Sequence, residues 1–159
     1  MRCRAGTVAD IPALWALRTR CVRETCSTHY PPDVITRWAA SAAPVQFQPL
    51  VEAGGCVVAE DAAGTLLGYG VIDLTGNEVD ALFVDPDRSG QGIGRMLLER
   101  VEALSDPQRE LHLSASLNAV SFYLHAGFSA DGEALYPHPS GIALACMQMH
   151  KRGRSQRGD

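Results

Sequence analysis

Apolar residues recur at helical spacing in the first part of the chain. Pro31 and Pro32 then interrupt the pattern and open a second amphipathic run over residues 33–42, with Val34, Ile35 and Trp38 as its apolar positions. This pattern predicts two helices that pack on a sheet, after a short edge strand at residues 1–4. The first helix carries on its apolar side Ile11, Leu14, Trp15, Leu17, Arg18, Cys21 and Val22.

From residue 56 onward, short β-rich runs separated by turns replace most of the helical spacing. Three consecutive runs joined by tight turns predict antiparallel strands, and the helix that follows crosses back, so the next strand should lie parallel to the one before that helix. A mixed, mostly antiparallel sheet of about six or seven strands with flanking helices is expected. The predicted strands are 56–60, 66–74, 79–84, 111–114, 129–135 and 141–149, and the predicted helices are 92–104 and 116–126.

Three glycines at alternate positions, Gly90, Gly92 and Gly94, join a strand to a helix. The first turn of a helix has N–H groups without intrahelical partners and a partial positive charge, so it can bind a phosphate. Glycine lets a ligand approach the backbone closely and permits positive φ. Arg88 and Arg95 flank the turn and can add charge-assisted hydrogen bonds. The turn is therefore predicted to be a phosphate site rather than an ordinary glycine-rich loop.

The glycine spacing argues against two common phosphate ligands. In a nicotinamide dinucleotide site the third glycine comes one residue later, and an acidic residue ends the next strand. The strand at 111–114 ends without one. A nucleoside triphosphate loop requires a Gly-Lys-Ser/Thr sequence, which is absent.

The same stretch resembles motif A of the GNAT acyltransferase superfamily, in which Gly92 and Gly94 match the last two glycines and Ser89 replaces the usual Gln or Arg. The resemblance implies a GNAT α/β fold and acetyl-coenzyme A (acetyl-CoA) as cofactor. It places the pantetheine arm and the oxyanion donors at main-chain groups of Leu82, Phe83 and Val84. It places the cofactor pyrophosphate at Arg88, Ser89, Gly90, Gln91, Gly92, Ile93, Gly94 and Arg95.

Residues 116–128 resemble GNAT motif B through Phe122, Tyr123, Gly127 and Phe128. The resemblance makes Tyr123 the general acid and a cofactor contact. The asparagine of that motif falls on Ser116, and Asn118 lies two residues later. Either side chain can bind the pantetheine arm or cap the helix.

A base must take a proton from the amine, since an ordinary lysine-like amine with a pKa of about 10.4 is almost fully protonated at neutral pH. Glu78 occupies the position of the catalytic glutamate in histone-type GNAT members and is favoured. Asp80 should face the same way because strand residues alternate between faces. His112 and ordered water are further options.

The segment between the first two helices, 26–30, is long enough to form part of a pocket. Cys26, His29 and Tyr30 are expected substrate contacts, because this region resembles the acceptor-binding region of the superfamily. Residues His29, Tyr30, Ile35 and Trp38 also resemble one branch of small bacterial GNAT proteins. The alternative is an ordinary turn with an exposed histidine.

Composition narrows the remaining choices. With 159 residues, 46% of them hydrophobic, one domain over 1–150 is expected, followed by a disordered or frayed tail over 151–159. The net charge of 14 − 18 = −4 disfavours nucleic acid. Five cysteines without ligand spacing predict reduced thiols, no metal and a cytoplasmic location. The sequence contains no apolar run of about 18 residues, so no membrane span is predicted.

These patterns lead to one expected function and one alternative. The chain is expected to move an acetyl group from acetyl-CoA to a primary amine of a small molecule or peptide, by direct attack in a ternary complex. The alternative is a non-catalytic module that binds or senses acyl-CoA through the same glycine turn. Homodimers are common in the superfamily, but the sequence shows no interface.

Overall fold

The structure is a computed structural model and describes residues 1–138 and 140–157. Seven strands form one sheet in the order β1-β2-β3-β4-β5-β7-β6. Neighbouring strands are antiparallel except for β4 and β5, which are parallel, so the predicted mixed sheet is confirmed. The strands are β1 (Arg2–Ala5), β2 (Cys56–Glu60), β3 (Leu66–Asp73), β4 (Glu78–Val84), β5 (Leu111–Ser116), β6 (Ser129–Pro137) and β7 (Ala143–Lys151).

Helices cover both faces of this sheet. The helices α4 and α5 pack on one face over Leu97, Val101 and Tyr123, and α1 and α3 pack on the other over Leu14 and Phe47. Strand β2, which lies between β1 and β3, is buried along its whole length, as expected for a strand covered on both faces. The helices are α1 (Ile11–Glu24), α2 (Pro32–Ala40), α3 (Phe47–Glu52), α4 (Ile93–Leu104) and α5 (Val120–His125).

The two parallel strands β4 and β5 pair only at their beginnings, where Glu78 lies opposite His112 and Val79 opposite Leu113. Beyond these pairs both strands continue, but they diverge and leave a gap. A bulge in β4 adds to the irregularity, because its neighbours on β3 pair with Val79 and Ala81 and skip Asp80. This gap positions the candidate active site described below.

Asn77 fixes the point from which the two strands diverge. Its φ of 52° is left-handed, and the residue is fully buried. Its Nδ2 donates to the backbone oxygens of Asp106 (3.4 Å), Arg109 (3.3 Å) and Glu110 (2.9 Å), and its Oδ1 accepts from the N–H of Asp106 (2.8 Å). Its own backbone oxygen accepts from the N–H of His112 at 3.1 Å. Asn77 thus joins the entry of β4 to the loop that leads into β5.

The C-terminal segment differs from the predicted frayed tail. Lys151 ends β7, and a 3₁₀ turn follows at Arg154–Gln156. Arg154 donates through Nη2 to the backbone oxygen of Ser105 at 2.8 Å, which holds this segment against the end of α4. The predicted tail also includes Gly158 and Asp159, which lie outside the described residues, as does Pro139 of the predicted loop between the last two strands. Within the described part of the chain, no helix has the length and apolar character needed to cross a membrane.

We expect Asn77→Asp to lower the free energy of unfolding by roughly 2–4 kcal/mol, because the amide donor is replaced by a buried carboxylate oxygen that faces three carbonyl oxygens. Urea denaturation followed by circular dichroism measures this change. Thr75→Ala, at an exposed position in the same turn, is the control and should change stability by less than about 0.5 kcal/mol. Wild-type stability in Asn77→Asp at neutral pH would contradict the role given to Asn77.

Candidate active site

The gap between β4 and β5 opens into a cavity of about 310 Å³. Strands β3, β4, β5 and β7 contribute to its walls, and α1 and α2 close it from the side. Carboxylate, phenol, guanidinium and imidazole groups all line it. Since concave sites with a few polar groups in a largely apolar wall are typical of substrate pockets, this cavity is the candidate active site.

The predicted phosphate turn lies at the beginning of α4, next to this gap. Gly90 and Gly92 have left-handed φ values of 77° and 78°, and Gly92 is the N-cap without any side-chain cap. A Cβ placed on either glycine would find no atom within 4 Å. The first N–H groups of α4 are therefore open to a ligand, as an anion site requires.

Gly94 serves a different purpose from the one expected. It lies inside the first turn of α4 and does not have a positive φ. A Cβ at this position would lie 3.3 Å from Cε1 of Phe122. Gly94 therefore allows α5 to pack closely against the start of α4.

Two arginines flank the turn, as predicted. Arg88 has 42% of its side chain exposed, and its one ion-pair contact within the described residues is at 3.9 Å, between Nη2 and Oδ2 of Asp61. Arg95 is more exposed and lies 3.6 Å from Glu99 on the same helix. Because this ion pair is long, Arg88 is available to a bound anion.

The strand edge that faces the gap offers main-chain groups. Leu82, Phe83 and Val84 pair with β3 on one side, but on the other side β5 has already diverged. A free edge of this kind can accept an extended ligand as an added strand. The three residues predicted to bind the pantetheine arm thus lie along the opening.

Ser116 and Asn118 follow a different local structure from the predicted helix. Strand β5 continues to Ser116, which pairs with Cys146 on β7, and the hydroxyl of Ser116 caps nothing. A 3₁₀ turn at Leu117–Ala119 precedes α5, which is shorter than predicted. Ser116 lines the cavity, and the buried Oδ1 of Asn118 has no hydrogen-bond partner within the described part of the chain.

Tyr123 lines the cavity from α5 with a side chain that is 7% exposed. Its ring packs edge-on against Phe122 and Phe128, at centroid distances of 5.1 and 5.6 Å. Burial raises the pKa of its hydroxyl well above the ordinary value of 10.0. The phenol therefore remains protonated at neutral pH and can donate a proton or a hydrogen bond.

Glu78 and Asp80 both reach the cavity from β4. Asp80, like Glu78, is exposed, but it lies in the concave wall of the cavity, where the surrounding protein partly excludes water from its carboxyl. Burial, followed by the charges of Glu78 and Asp73, raises the pKa of Asp80 to about 6. His112 is exposed, lies 3.7 Å from Glu110 and does not line the cavity. Asp80 therefore has a pKa suited to accepting a proton near neutral pH.

Of the three predicted substrate contacts, only Tyr30 lines the cavity in the structure. Tyr30 lines the cavity, but its hydroxyl donates to the backbone oxygen of Ala145 and accepts from the N–H of Leu117 at 3.0 Å. Cys26 is buried among apolar residues that join α2 to β7, and His29 is exposed with its ring beside Thr28. Neither Cys26 nor His29 lines the cavity.

The polar cavity residues that were not predicted from the sequence include Arg18, Tyr69 and His138. Arg18 did leave a signal, since it is a charged residue within the apolar positions of α1. Tyr69 lies in an apolar strand, and His138 lies in a loop distant in sequence, so local pattern says nothing about either. Among residues 1–138 and 140–157, no group of three or more His, Cys, Asp and Glu side chains is arranged to hold a metal ion.

Comparison with known proteins identifies the family. Residues 26–151 match the model of the acetyltransferase (GNAT) domain. A 65-residue segment is 42% identical to the peptidyl-lysine N-acetyltransferase YjaB of Salmonella typhimurium. The aligned segment covers 41% of this chain and 45% of that protein. The chain thus matches less than half the length of this relative.

Solved structures share the fold. A GCN5-related N-acetyltransferase from Rhodopseudomonas palustris superposes with a TM-score of 0.82 at 24% identity, over 95% of this chain and 94% of that one. The PaiA N-acetyltransferase of Thermoplasma acidophilum, solved in complex with coenzyme A, superposes with a TM-score of 0.72 at 19% identity, over 95% and 98%. At these identities the likeness concerns the fold alone. Together with the domain match, it confirms the predicted resemblance, and the chain belongs to the acetyltransferase (GNAT) domain family.

Proposed function

We propose that this chain is an N-acetyltransferase that uses acetyl-CoA and acetylates a primary amine of a small molecule or peptide in a ternary complex. One observation carries the proposal: a protonated phenol, Tyr123, and a carboxylate with a raised pKa, Asp80, line one cavity beside an uncapped helix start. The two groups supply the acid and the base that amine acetylation requires.

The residues around the gap suit coenzyme A. The open N–H groups at the start of α4 and the available guanidinium of Arg88 fit a pyrophosphate. The free edge of β4 at Leu82, Phe83 and Val84 fits the amide-bearing pantetheine arm. Family membership and a related fold solved with coenzyme A support the same assignment.

Asp80 acts as the base in this proposal. The attacking amine must lose a proton as its nitrogen bonds to the acetyl carbon. A carboxylate with a pKa of about 6 is largely ionised at neutral pH and still basic enough to accept that proton, directly or through one water. Glu78 is exposed at the start of the same strand and adds negative charge that favours a cationic amine.

Tyr123 acts as the acid. It donates the phenolic proton to the sulfur as the carbon–sulfur bond breaks, so that the leaving group departs as a neutral thiol. Acetyl-CoA supplies the thioester, and the products are an N-acetyl amide and free coenzyme A. Main-chain N–H groups of Leu82 to Val84 stabilise the negative charge that develops on the acetyl oxygen.

We expect Tyr123→Phe to reduce kcat/KM about 100-fold, because proton transfer by a positioned acid contributes on this order. The dissociation constant of coenzyme A should stay within about twofold of wild type, since the ring remains. Thiol release from acetyl-CoA across a panel of primary amines measures the first quantity, and calorimetry measures the second. Ser121→Ala removes an exposed hydroxyl from the same helix and is the control.

The same assay separates the enzyme from the alternative, a module that only binds acyl-CoA. Acetyl-CoA binding without thiol release on any amine in the panel would favour the binding module. Full activity in Tyr123→Phe would show that another group protonates the sulfur.

We expect the pH dependence of kcat/KM to report Asp80. The base works in its deprotonated form, so the rate, expressed per concentration of neutral amine, should rise with pH through a midpoint near 6. Asp80→Asn should abolish this rise and lower the plateau about 100-fold.

Glu78→Gln is the matched control on the same strand and should keep the rise, with a midpoint shifted slightly lower, because a neighbouring negative charge is removed. If Glu78→Gln abolished the rise and Asp80→Asn kept it, the roles of the two carboxylates would be reversed.

A further inference from the structure

Arg18 is a buried cation without a counter-charge among the residues that the structure describes. It lies on α1, is 3% exposed and lines the cavity. Burial lowers the pKa of its guanidinium to about 10, so the group stays positive at neutral pH. In the described ranges no carboxylate forms an ion pair with it, although arginine is seldom fully buried without a partner.

Neutral acceptors hold the guanidinium in place. Its Nη2 donates to the backbone oxygen of Trp38 and to Oγ of Ser41, both at 2.8 Å, and its Nη1 lies 3.4 Å from the backbone oxygen of Ala39. The group also lies 4.1 Å from the centre of the Trp15 ring. These contacts fix the orientation of Arg18 at the C-terminal end of α2. Within the described residues they leave its Nε–H without a partner, so the planar group can still bind an anion.

Tyr69 gives a second, independent indication of a ligand. Its side chain is completely buried in the cavity wall, and its hydroxyl has no hydrogen-bond partner among the described residues. A buried hydroxyl without a partner costs about 1–3 kcal/mol, which a bound polar group would recover. This hydroxyl lies within electrostatic range of both Arg18 and Asp80.

The charges in the cavity are therefore separated. The carboxylates Glu78 and Asp80 lie on β4, and the guanidinium of Arg18 lies on α1. His138 also lines the cavity, within electrostatic range of Arg18. Burial and the charge of Arg18 lower the pKa of its imidazole, so the ring is neutral at neutral pH. A cavity of this layout complements a molecule with a cation at one end and an anion at the other.

We propose that Arg18, assisted by the hydroxyl of Tyr69, binds a carboxylate of the acceptor, so that the preferred acceptors are amino carboxylates with both groups on one small molecule. The proposal rests on the proposed function in one respect, namely that the amine end faces Asp80. A lysine side chain within a protein has no carboxylate of its own beside the reacting amine, and would leave Arg18 unpaired.

Binding of product analogues tests the proposal without relying on turnover. The probes are N-acetyl derivatives of glycine, β-alanine, γ-aminobutyrate and leucine, each compared with its primary amide in the presence of saturating coenzyme A. Calorimetry on the full chain measures each dissociation constant. The variants are Arg18→Met, which keeps much of the packing on Trp15, and Tyr69→Phe. Arg23→Met removes an exposed arginine from the same helix and is the control.

In wild type and in Arg23→Met, at least one carboxylate should bind about tenfold or more tightly than its amide, as expected for a charge-assisted hydrogen bond. Arg18→Met should abolish this preference and leave amide affinity unchanged, and Tyr69→Phe should reduce the preference severalfold.

Three results would overturn the proposal: equal binding of acid and amide in wild type, an equal loss of both in Arg18→Met, or no binding of any carboxylate. The second result would mean that Arg18 only supports α2. Turnover separates this proposal from the function itself. If amino acid amides were acetylated as fast as the free amino acids, the carboxylate site would be wrong and the proposed acetyltransferase activity would stand. Carboxylate-selective binding without thiol release would retain the site and contradict the enzyme.

Discussion

The divergence of β4 from β5 is the constraint on which the site depends. Two parallel strands that paired along their full length would leave no free edge and no cavity between them. Asn77 limits the pairing by holding the entry of β4 to the loop before β5 with four side-chain hydrogen bonds. The bulge at Asp80 lies immediately after the last pair. The same divergence therefore exposes the strand edge and brings a carboxylate into the opening.

Burial has opposite functional consequences for the two proton-transfer groups, although it moves both pKa values upward. For Tyr123 the shift secures the protonated form, which an acid needs. For Asp80 the shift raises the pKa from its ordinary value of 3.8 to about 6, where the ionised carboxylate is a better proton acceptor. One low-dielectric cavity thus prepares an acid and a base without a direct contact between them.

The parts of the fold that the sequence predicts are those that local chemistry determines. Gly90 and Gly92 predicted the uncapped start of α4, and the hairpin spacing predicted the antiparallel strands. Both predictions were possible because turn geometry and strand period are properties of neighbouring residues. The motif resemblance also placed Tyr123 in the cavity. The preference for Glu78 over Asp80 did not anticipate the raised pKa of Asp80, since the surroundings of a carboxyl depend on residues from other parts of the chain.

Cys26 and His29 also show the limit of local sequence pattern, because both were predicted to contact the substrate and neither lines the cavity. Both are polar or reactive residues in a segment of suitable length, but whether such a segment faces a cavity depends on how α1 and α2 pack, which spacing alone leaves undetermined. Tyr69 was unremarkable as a member of an apolar strand, and Arg18 differed from its neighbours only as a charged residue on an apolar helix face. They line one cavity only because the first helix packs on the sheet.

Arg18 links the position of α2 to the charge of the cavity. Its Nη2 holds the backbone oxygen of Trp38 and the hydroxyl of Ser41, while its charge remains uncompensated within the described residues. A neutral side chain with an N–H donor could bond the same oxygens and would avoid the cost of burying a charge. A capping role alone therefore does not require a guanidinium on the cavity wall. The cost becomes understandable if an anionic group of the acceptor completes the ion pair, because a substrate carboxylate then supplies the partner that the folded chain lacks.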